Sequence, residues 1–298
     1  MTNKNNDLAR FTVPTEKRAA LNALIKVPTV SPMVLGLLIA STGGVIAADV
    51  LAVLGHVSLG WVCLLNTFLM YWQFTVAHDS IHRSAAKNQK LNDLLGHIGI
   101  TTFAPQITLG IFRWAHIQHH RFTNGPKDPD NWMHGPAWSL PARWALLEIG
   151  YLMFILKGKD PIGMRQLRNA IPNILGTVIL VSVLIWLGYG QEVLWLWFIP
   201  SRLTFILVGF VFFWLPHVKD DVESEQDVTL ATSIRLGKER LLTPICQFHN
   251  YHLIHHLFPT MPAYQHVKAW KLLKPELLQR NLQIQHGFAI QPTVHMAP

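Results

Sequence analysis

The sequence has little charge. Only 14% of its 298 residues are Asp, Glu, Lys or Arg, whereas a soluble domain usually carries about 25%. Half of the residues are hydrophobic, and many of them stand in long apolar runs. This combination excludes most classes of soluble protein and predicts an integral membrane protein.

Acidic residues and cysteines are particularly few. The chain has 17 Asp and Glu against 25 Lys and Arg, a formal charge of +8. The basic residues flank the apolar runs, which favours the membrane surface over nucleic acid as their partner. Cys63 and Cys246 are the only cysteines, and their settings predict neither a disulfide nor a thiolate metal site. The polar, basic N-terminus does not resemble a secretory signal.

Four apolar segments have the length needed to cross a bilayer, which takes about 20 helical residues. The predicted spans are residues 33–54, 61–77, 171–188 and 193–215. The short links "GHVSLG" and "YGQE" join them in pairs and contain no Lys or Arg. We therefore predict an all-α membrane protein with four transmembrane helices in two hairpins.

The basic residues outside these hairpins set the expected orientation. By the positive-inside rule, both termini are cytoplasmic. We expect an N-terminal cytoplasmic segment, residues 1–32, and a single integral-membrane catalytic domain, residues 33–298. The cytoplasmic helical cap of this domain comprises residues 78–170 and 216–298 and is expected to hold the metal site. Two interrupted apolar segments, 91–111 and 144–156, are predicted to be interfacial or re-entrant. Arg202, inside the fourth span, is expected to reach outward to the membrane interface.

Histidine is the residue that the sequence has in excess. Ten of the 16 histidines stand in "HDSIH", "HIQHH", "LPH" and "HNYHLIHH". On a helix, residues three or four apart share a face, so each HxxxH or HxxHH pattern presents two or three imidazoles together. Each motif alone is weak, because a single histidine is usually a structural or surface residue. Their combination predicts a metal centre.

The ligand type narrows the choice of metal. Imidazole suits Zn, Cu, Fe and Ni, and the absence of HExxH argues against a zinc protease. Eight or more clustered histidines exceed what one ion needs, so we expect two ions. Two iron ions that activate O₂ are suited to oxidising the unactivated C–H bonds of a membrane lipid.

These motifs resemble those of the membrane-bound fatty acid desaturase and hydroxylase superfamily, whose three histidine boxes read HxxxH, HxxHH and HxxHH. The resemblance runs from about residue 72 to about residue 275 and is closest to β-carotene hydroxylases of the cyanobacterial type. It rests on "HDSIHRSA", "HIQHHRFTNGPKDPDNW", "GPAW", "ARWALLEI", "FFWLPH" and "NYHLIHHLFPTMPAYQ". It implies a di-iron, O₂-dependent enzyme that takes electrons from a separate ferredoxin-like or cytochrome b5-like carrier and its reductase.

The resemblance also implies the ligands, with no catalytic residue separate from the metal centre. They are His78, His82, His116, His119, His120, His252, His255 and His256, together with His217, which matches the family's extra histidine. Further metal-binding or supporting candidates are His249, His97, Asp79, Asp128 and Asp130. The carboxylates can orient imidazoles, but Asp79 can also pair with Arg83, and the other two can simply form a turn. The five remaining histidines, His56, His134, His266, His286 and His295, are expected to be surface or structural.

Several functions remain open at this stage. The leading hypothesis is hydroxylation of a carotenoid ring. We expect the protein to be a multi-pass protein of a bacterial inner membrane. A fatty acyl desaturase or hydroxylase would use the same centre, and "LPH" also occurs in carotenoid ketolases. The non-enzyme alternative is a metal transporter, which would place polar ligands inside its spans.

Overall fold

The computed structural model describes residues 8–298, and the chain divides into two compact units. One, here called the span unit, comprises Thr29–Ala115 and Gly135–Gly209. The other, here called the sheet unit, comprises residues 8–28, His116–His134 and Phe210–Pro298. Each unit has its own buried core.

Helices make up most of the described chain. In chain order they are α1 Thr15–Ile25, α2 Pro32–Val53, α3 Leu59–Ile81, α4 Gln89–Phe103, α5 Leu109–Phe122, α6 Leu140–Ala145, α7 Leu147–Gly158, α8 Pro161–Trp186, α9 Gly190–His217, α10 Glu239–Ile245, α11 His252–Leu257 and α12 His266–Leu277. Helix α9 contains two π-helical stretches, Val193–Phe198 and Gly209–Trp214.

Four of these helices, α2, α3, α8 and α9, are long and apolar enough to cross a membrane. The number of predicted spans is therefore confirmed, but their bounds differ. Helix α3 continues to Ile81 instead of residue 77, and α8 begins at Pro161 instead of residue 171. Capping sets the start of α8, because the Asp160 side chain accepts a hydrogen bond from the Gly163 amide at 2.8 Å. Hydropathy does not register such a helix end.

Close approach of α3 and α4 organises the first half of the span unit. A Cβ atom at Gly96 on α4 would lie 2.5 Å from the Ser80 Cβ on α3. Asn92 strengthens this contact, since its side-chain amide donates to the Ser80 carbonyl at 2.8 Å. Arg113 donates to the carbonyls of Ile81 and Ser80 and thereby satisfies the C-terminal turn of α3.

The segment predicted to be interfacial or re-entrant around residues 144–156 is broken in the structure. The helices on either side of Leu146 meet at 86°. Just after this bend, Glu148 pairs with Arg202 of α9, with 2.5 Å between Oε1 and Nη1. Arg202 also donates to the Ala145 carbonyl at 2.9 Å. Arg202 therefore has a carboxylate partner that the sequence separation hid, while its reach toward the membrane interface stays a prediction.

A small sheet in the sheet unit corrects the all-α prediction. Strand β1 (Ser233–Leu236) pairs in parallel with β2 (Leu282–His286), which pairs antiparallel with β3 (Thr293–His295). The strands are short, and the parallel pair joins segments almost 50 residues apart, so local periodicity could not reveal them. Helices α1 and α12 contribute to the same apolar core as β1 and β2.

Candidate metal centre

Three segments of the sheet unit carry the histidines that the sequence predicts as its metal ligands. Helix α5 holds His116, His119 and His120 in its last two turns, and His217 ends α9. Helix α11 supplies His252, His255 and His256. The chain enters α11 through a tight turn in which Gln247 and Phe248 have positive φ angles of 48° and 69°. Such angles are uncommon for residues with a side chain, so packing must hold this turn in place.

Four of these histidines form one compact group. Ligand atoms of His119, His217, His252 and His256 all lie within 4.8 Å of one another. The Nε2 atom of His252 is 3.1 Å from Nε2 of both His217 and His256. His119, His217 and His252 are buried, and His256 is partly buried.

The partners on the other ring nitrogens determine what this group can bind. The Nδ1 atom of His119 is 3.0 Å from an Asp128 carboxylate oxygen, and Nδ1 of His217 is 3.0 Å from the Ala231 carbonyl. Because these oxygens only accept, each Nδ1 carries a proton, and Nε2 is the ring nitrogen that can bind a metal once it is deprotonated. His256 Nδ1 lies 3.4 Å from the Thr123 hydroxyl, which itself donates to the His119 carbonyl.

Ring nitrogens that converge in this way offer one cation several ligands at once. Imidazole nitrogen is a common ligand of first-row transition metals. The donor atoms of this group are therefore of the kind that binds a metal ion. The carboxylate beside His119 is also the kind of hydrogen-bond partner that orients metal-bound histidines.

The remaining three box histidines of the sheet unit form a second set. The Nε2 atom of His120 lies 2.9 Å from Nε2 of His255 and 3.1 Å from Nε2 of His116. The rings of His116 and His255 stack with centroids 5.8 Å apart. This set repeats the approach of nitrogen to nitrogen seen in the first group.

Nearby carboxylates and burial shift the pKa values of these imidazoles in opposite directions. Burial lowers the pKa of His119, but the charges of Asp128 and Asp130 outweigh it and raise the pKa to about 9. Burial and the neighbouring histidines hold the pKa of His252 and of His256 well below the ordinary value. The last two rings are thus kept neutral, which is the form that binds metal.

The first histidine box lies in the span unit. His78 and His82 are one turn apart at the end of α3, both buried, with ring centroids 4.8 Å apart. Helix α3 extends past the predicted span as far as Ile81, which brings both histidines to its C-terminal end. Asp79 is buried beside them, with a carboxylate oxygen 3.8 Å from His78 Nδ1. Its backbone carbonyl accepts from Ser84, which ends the turn.

The supporting candidates separate into distinct roles. Asp128 is both a turn residue and a histidine partner, because it accepts from the Asp130 amide at 2.8 Å as well as contacting His119. Asp130 is 3.3 Å from the same ring nitrogen. His249 packs on Phe212 with ring centroids 4.1 Å apart and stands outside the four-histidine group. His97 is exposed on α4.

Sequence reasoning missed two neighbours of the centre. His266, expected to be surface or structural, is only 1% exposed, and its ring centroid is 5.8 Å from that of His255. Burial lowers its pKa to about 4 although the backbone at Phe248 and Met261 acts against the shift. Thr123 follows His119 by one helical turn, so the i,i+4 rule offered the only indication of it in the sequence.

Membrane-length helices combined with buried, converging imidazoles define a class of membrane oxidoreductases, and comparison with known proteins agrees. Residues 56–288 match the fatty acid desaturase family model, and the chain belongs to that family. It is an enzyme, an oxidoreductase that acts on lipid, as the superfamily resemblance implied.

Individual relatives are distant. An sn-1 oleoyl-lipid 12-desaturase of Synechocystis is 25% identical over 82% of this chain and 78% of its own length. A beta-carotene ketolase of Paracoccus is 29% identical over 72% of this chain and 78% of its own. An sn-1 acyl-lipid omega-3 desaturase (ferredoxin) of Nostoc is 23% identical over 69% of this chain and 65% of its own. This chain is similar both to acyl-lipid desaturases and to a carotenoid enzyme.

Proposed function

We propose that the protein uses two histidine-bound iron ions and O₂ to hydroxylate the ring of a carotenoid within the membrane. The observation that carries the metal assignment is the convergence of imidazole lone pairs between His119, His217, His252 and His256. The carotenoid assignment is supported by the motif resemblance and by similarity to a beta-carotene ketolase.

The proposed ligands are His78, His82, His116, His119, His120, His217, His252, His255 and His256. Bound iron would supply the oxidising power that an unactivated C–H bond requires. The protein's own contribution is to orient the ligands. Asp128 holds the Nδ1 proton of His119, and the Ala231 carbonyl holds that of His217, so both rings present Nε2. Burial keeps water and stray protons away from the rings.

The second candidate is an acyl-lipid desaturase. It is favoured by the 12-desaturases and omega-3 desaturases among the relatives. Both reactions begin by breaking an unactivated C–H bond, and they differ in whether oxygen is added or a second hydrogen is removed. Ketone formation on a carotenoid is the third outcome, after the Paracoccus relative.

Expression in cells that make β-carotene tests these candidates together. Pigments and lipids are extracted and compared with those from cells that carry the His255→Ala variant. Hydroxylated carotenoid supports the proposal. Newly unsaturated acyl chains would assign the second candidate, and ketocarotenoid would assign the third. Unchanged pigment and lipid profiles, with the protein present and loaded with iron, would contradict all three.

The same proposal includes the protein's surroundings. Electrons would come from a ferredoxin-like or cytochrome b5-like carrier, in keeping with the ferredoxin named for the Nostoc relative.

Both termini and the histidines would face the cytoplasm, because the links 54–58 and 187–189 that join the span pairs contain no Lys or Arg. A reporter fused after Pro298 should be found in the cytoplasm; its detection on the other side would refute this topology.

A further inference from the structure

The span unit contains a cavity of about 200 Å³ that is separate from the histidines of that unit. Its apolar wall comes from the α4–α5 link, α5, α7 and α8 and includes Ile107, Ile111, Ile155 and Ala170. Three further lining residues, Ile149, Leu152 and Ile174, are 43%, 39% and 38% exposed. One side of the cavity therefore borders the apolar outer surface of the unit, where membrane lipid is the natural neighbour.

Two polar residues, Gln106 and Glu148, interrupt this apolar lining. The Gln106 amide donates to Glu148 Oε1 at 3.3 Å, and the same oxygen pairs with Arg202. Among the described residues, however, Gln106 Oε1 and Glu148 Oε2 have no hydrogen-bond partner although both atoms are buried. Burying an acceptor without a donor costs free energy, which a ligand that supplies the donor recovers.

We propose that this cavity binds the hydroxyl-bearing end of a long apolar lipid. The apolar wall takes hydrocarbon, and the unpaired carboxylate oxygen requires a donor. A hydroxyl group donates, whereas the carbonyl of a ketone or ester only accepts, so the site discriminates among oxidised lipids. The volume suits one end of such a molecule, since whole-ligand pockets usually measure about 300–1,000 Å³.

Water can pair with Gln106 and Glu148, but it does not match the rest of the cavity, because the other lining residues are aliphatic apart from Tyr151. A phospholipid acyl chain would fill the apolar part but leave both acceptors unpaired. A hydroxyl-bearing lipid fills the apolar part as well, and its single O–H donates to one of the two acceptors, which we assign to Glu148 Oε2. Whether that lipid is a substrate or a product rests on the proposed function, but its binding does not.

The test is a binding measurement on iron-free protein in lipid nanodiscs, where no turnover takes place. Retinol is compared with retinyl methyl ether, which has the same polyene but no donor, by energy transfer from tryptophan and with empty nanodiscs subtracted. We expect retinol to bind about fivefold more tightly, the effect of one net hydrogen bond. Equal affinities for the two probes would overturn the proposal.

Variants of the lining residues test whether the preference for retinol over its methyl ether arises in this cavity. Gln106→Leu and Glu148→Gln should each lower the preference for retinol, whereas Thr177→Val, which removes a hydroxyl from α8 outside the cavity lining, should preserve it. Ala170→Leu should fill the cavity and weaken both probes alike. An unchanged preference in Gln106→Leu and Glu148→Gln, together with unchanged affinities in Ala170→Leu, would place retinol elsewhere and overturn the assignment. Loss of lipid oxidation with retinol binding intact would count against the proposed function alone.

Discussion

The two units differ in how some of their least exposed polar groups meet. In the span unit, Arg202 pairs with Glu148, and Asn66 donates to Asp49 at 2.8 Å. In the sheet unit, imidazoles approach nitrogen to nitrogen, at 3.1 Å between His217 and His252. An ion pair or hydrogen bond satisfies the two atoms that form it, whereas several imidazole nitrogens that converge are suited to binding a cation.

This difference separates stability from metal binding. Replacing one member of an ion pair in the span unit should weaken the fold, because it leaves the charge of the other member unpaired. Replacing an imidazole of the sheet unit should lower metal content while the apolar core, formed by other residues, stays intact. The variants below are arranged to test whether the two effects can be obtained independently.

The largest effect is expected from His217→Ala. This variant should lose most of its iron and its lipid-oxidising activity, since His217 contributes to the four-histidine group without belonging to a histidine box. Iron analysis and product analysis on purified protein measure both effects. His56→Ala, which changes an exposed histidine in the α2–α3 link, is the control and should match the parent. Equal iron and near-normal turnover in both variants would make His217 merely structural.

Asp128→Asn should have the next largest effect. The amide keeps the shape of the side chain but loses the charge that orients and polarises His119, so metal affinity should fall about 10-fold to 100-fold. Competition with a metal chelator measures this change. The matched control is Asp221→Asn, because the Asp221 side chain is 61% exposed. A chelator response indistinguishable between the two variants would show that Asp128 serves only its turn.

The Arg202–Glu148 pair provides the opposite case. Glu148→Leu should destabilise the protein by about 2–3 kcal/mol, since it leaves a poorly exposed guanidinium without its carboxylate. Thermal unfolding of detergent-solubilised protein monitors the loss. The double variant with Arg202→Leu should recover part of it, because neither charge then remains. A double variant less stable than either single variant would argue against a mutually compensating pair.

Gly96→Ala should give a smaller loss of stability, about 1–2 kcal/mol. Its Cβ atom would lie within 3 Å of both Ser80 and Leu109, so α4 must shift. Gly36→Ala, on α2 with nothing within 4 Å of its added Cβ, should be neutral or slightly stabilising because alanine favours the helix. Similar melting temperatures for the two variants would show that the α3–α4 approach is adaptable.

The sequence predicted most of what depends on local periodicity. Four apolar helices and the shared helical faces of the histidine boxes follow from segment length and from i,i+3 and i,i+4 spacing. Asp128, the partner of His119, could also be predicted as a candidate, because it lies only nine residues further on in the same continuous motif.

Features formed by distant segments could not be read in this way. The contact between β1 and β2 joins Ser233 to Gln283, and Arg202 finds Glu148 across 54 residues. The burial of His266 likewise depends on packing in the core of the sheet unit, whereas its surrounding sequence looks like an amphipathic surface helix. Such pairings are set by tertiary structure, which one sequence without its fold does not display.

The iron content of the fully loaded protein tests the central claim most directly. After anaerobic loading with Fe(II) and removal of excess metal, we expect about two iron ions per chain, together with O₂-dependent lipid oxidation when a reduced carrier is supplied. Removal of the iron should abolish the reaction, and reloading should restore it. Protein that holds a single zinc ion tightly and oxidises lipid in that form would contradict the account.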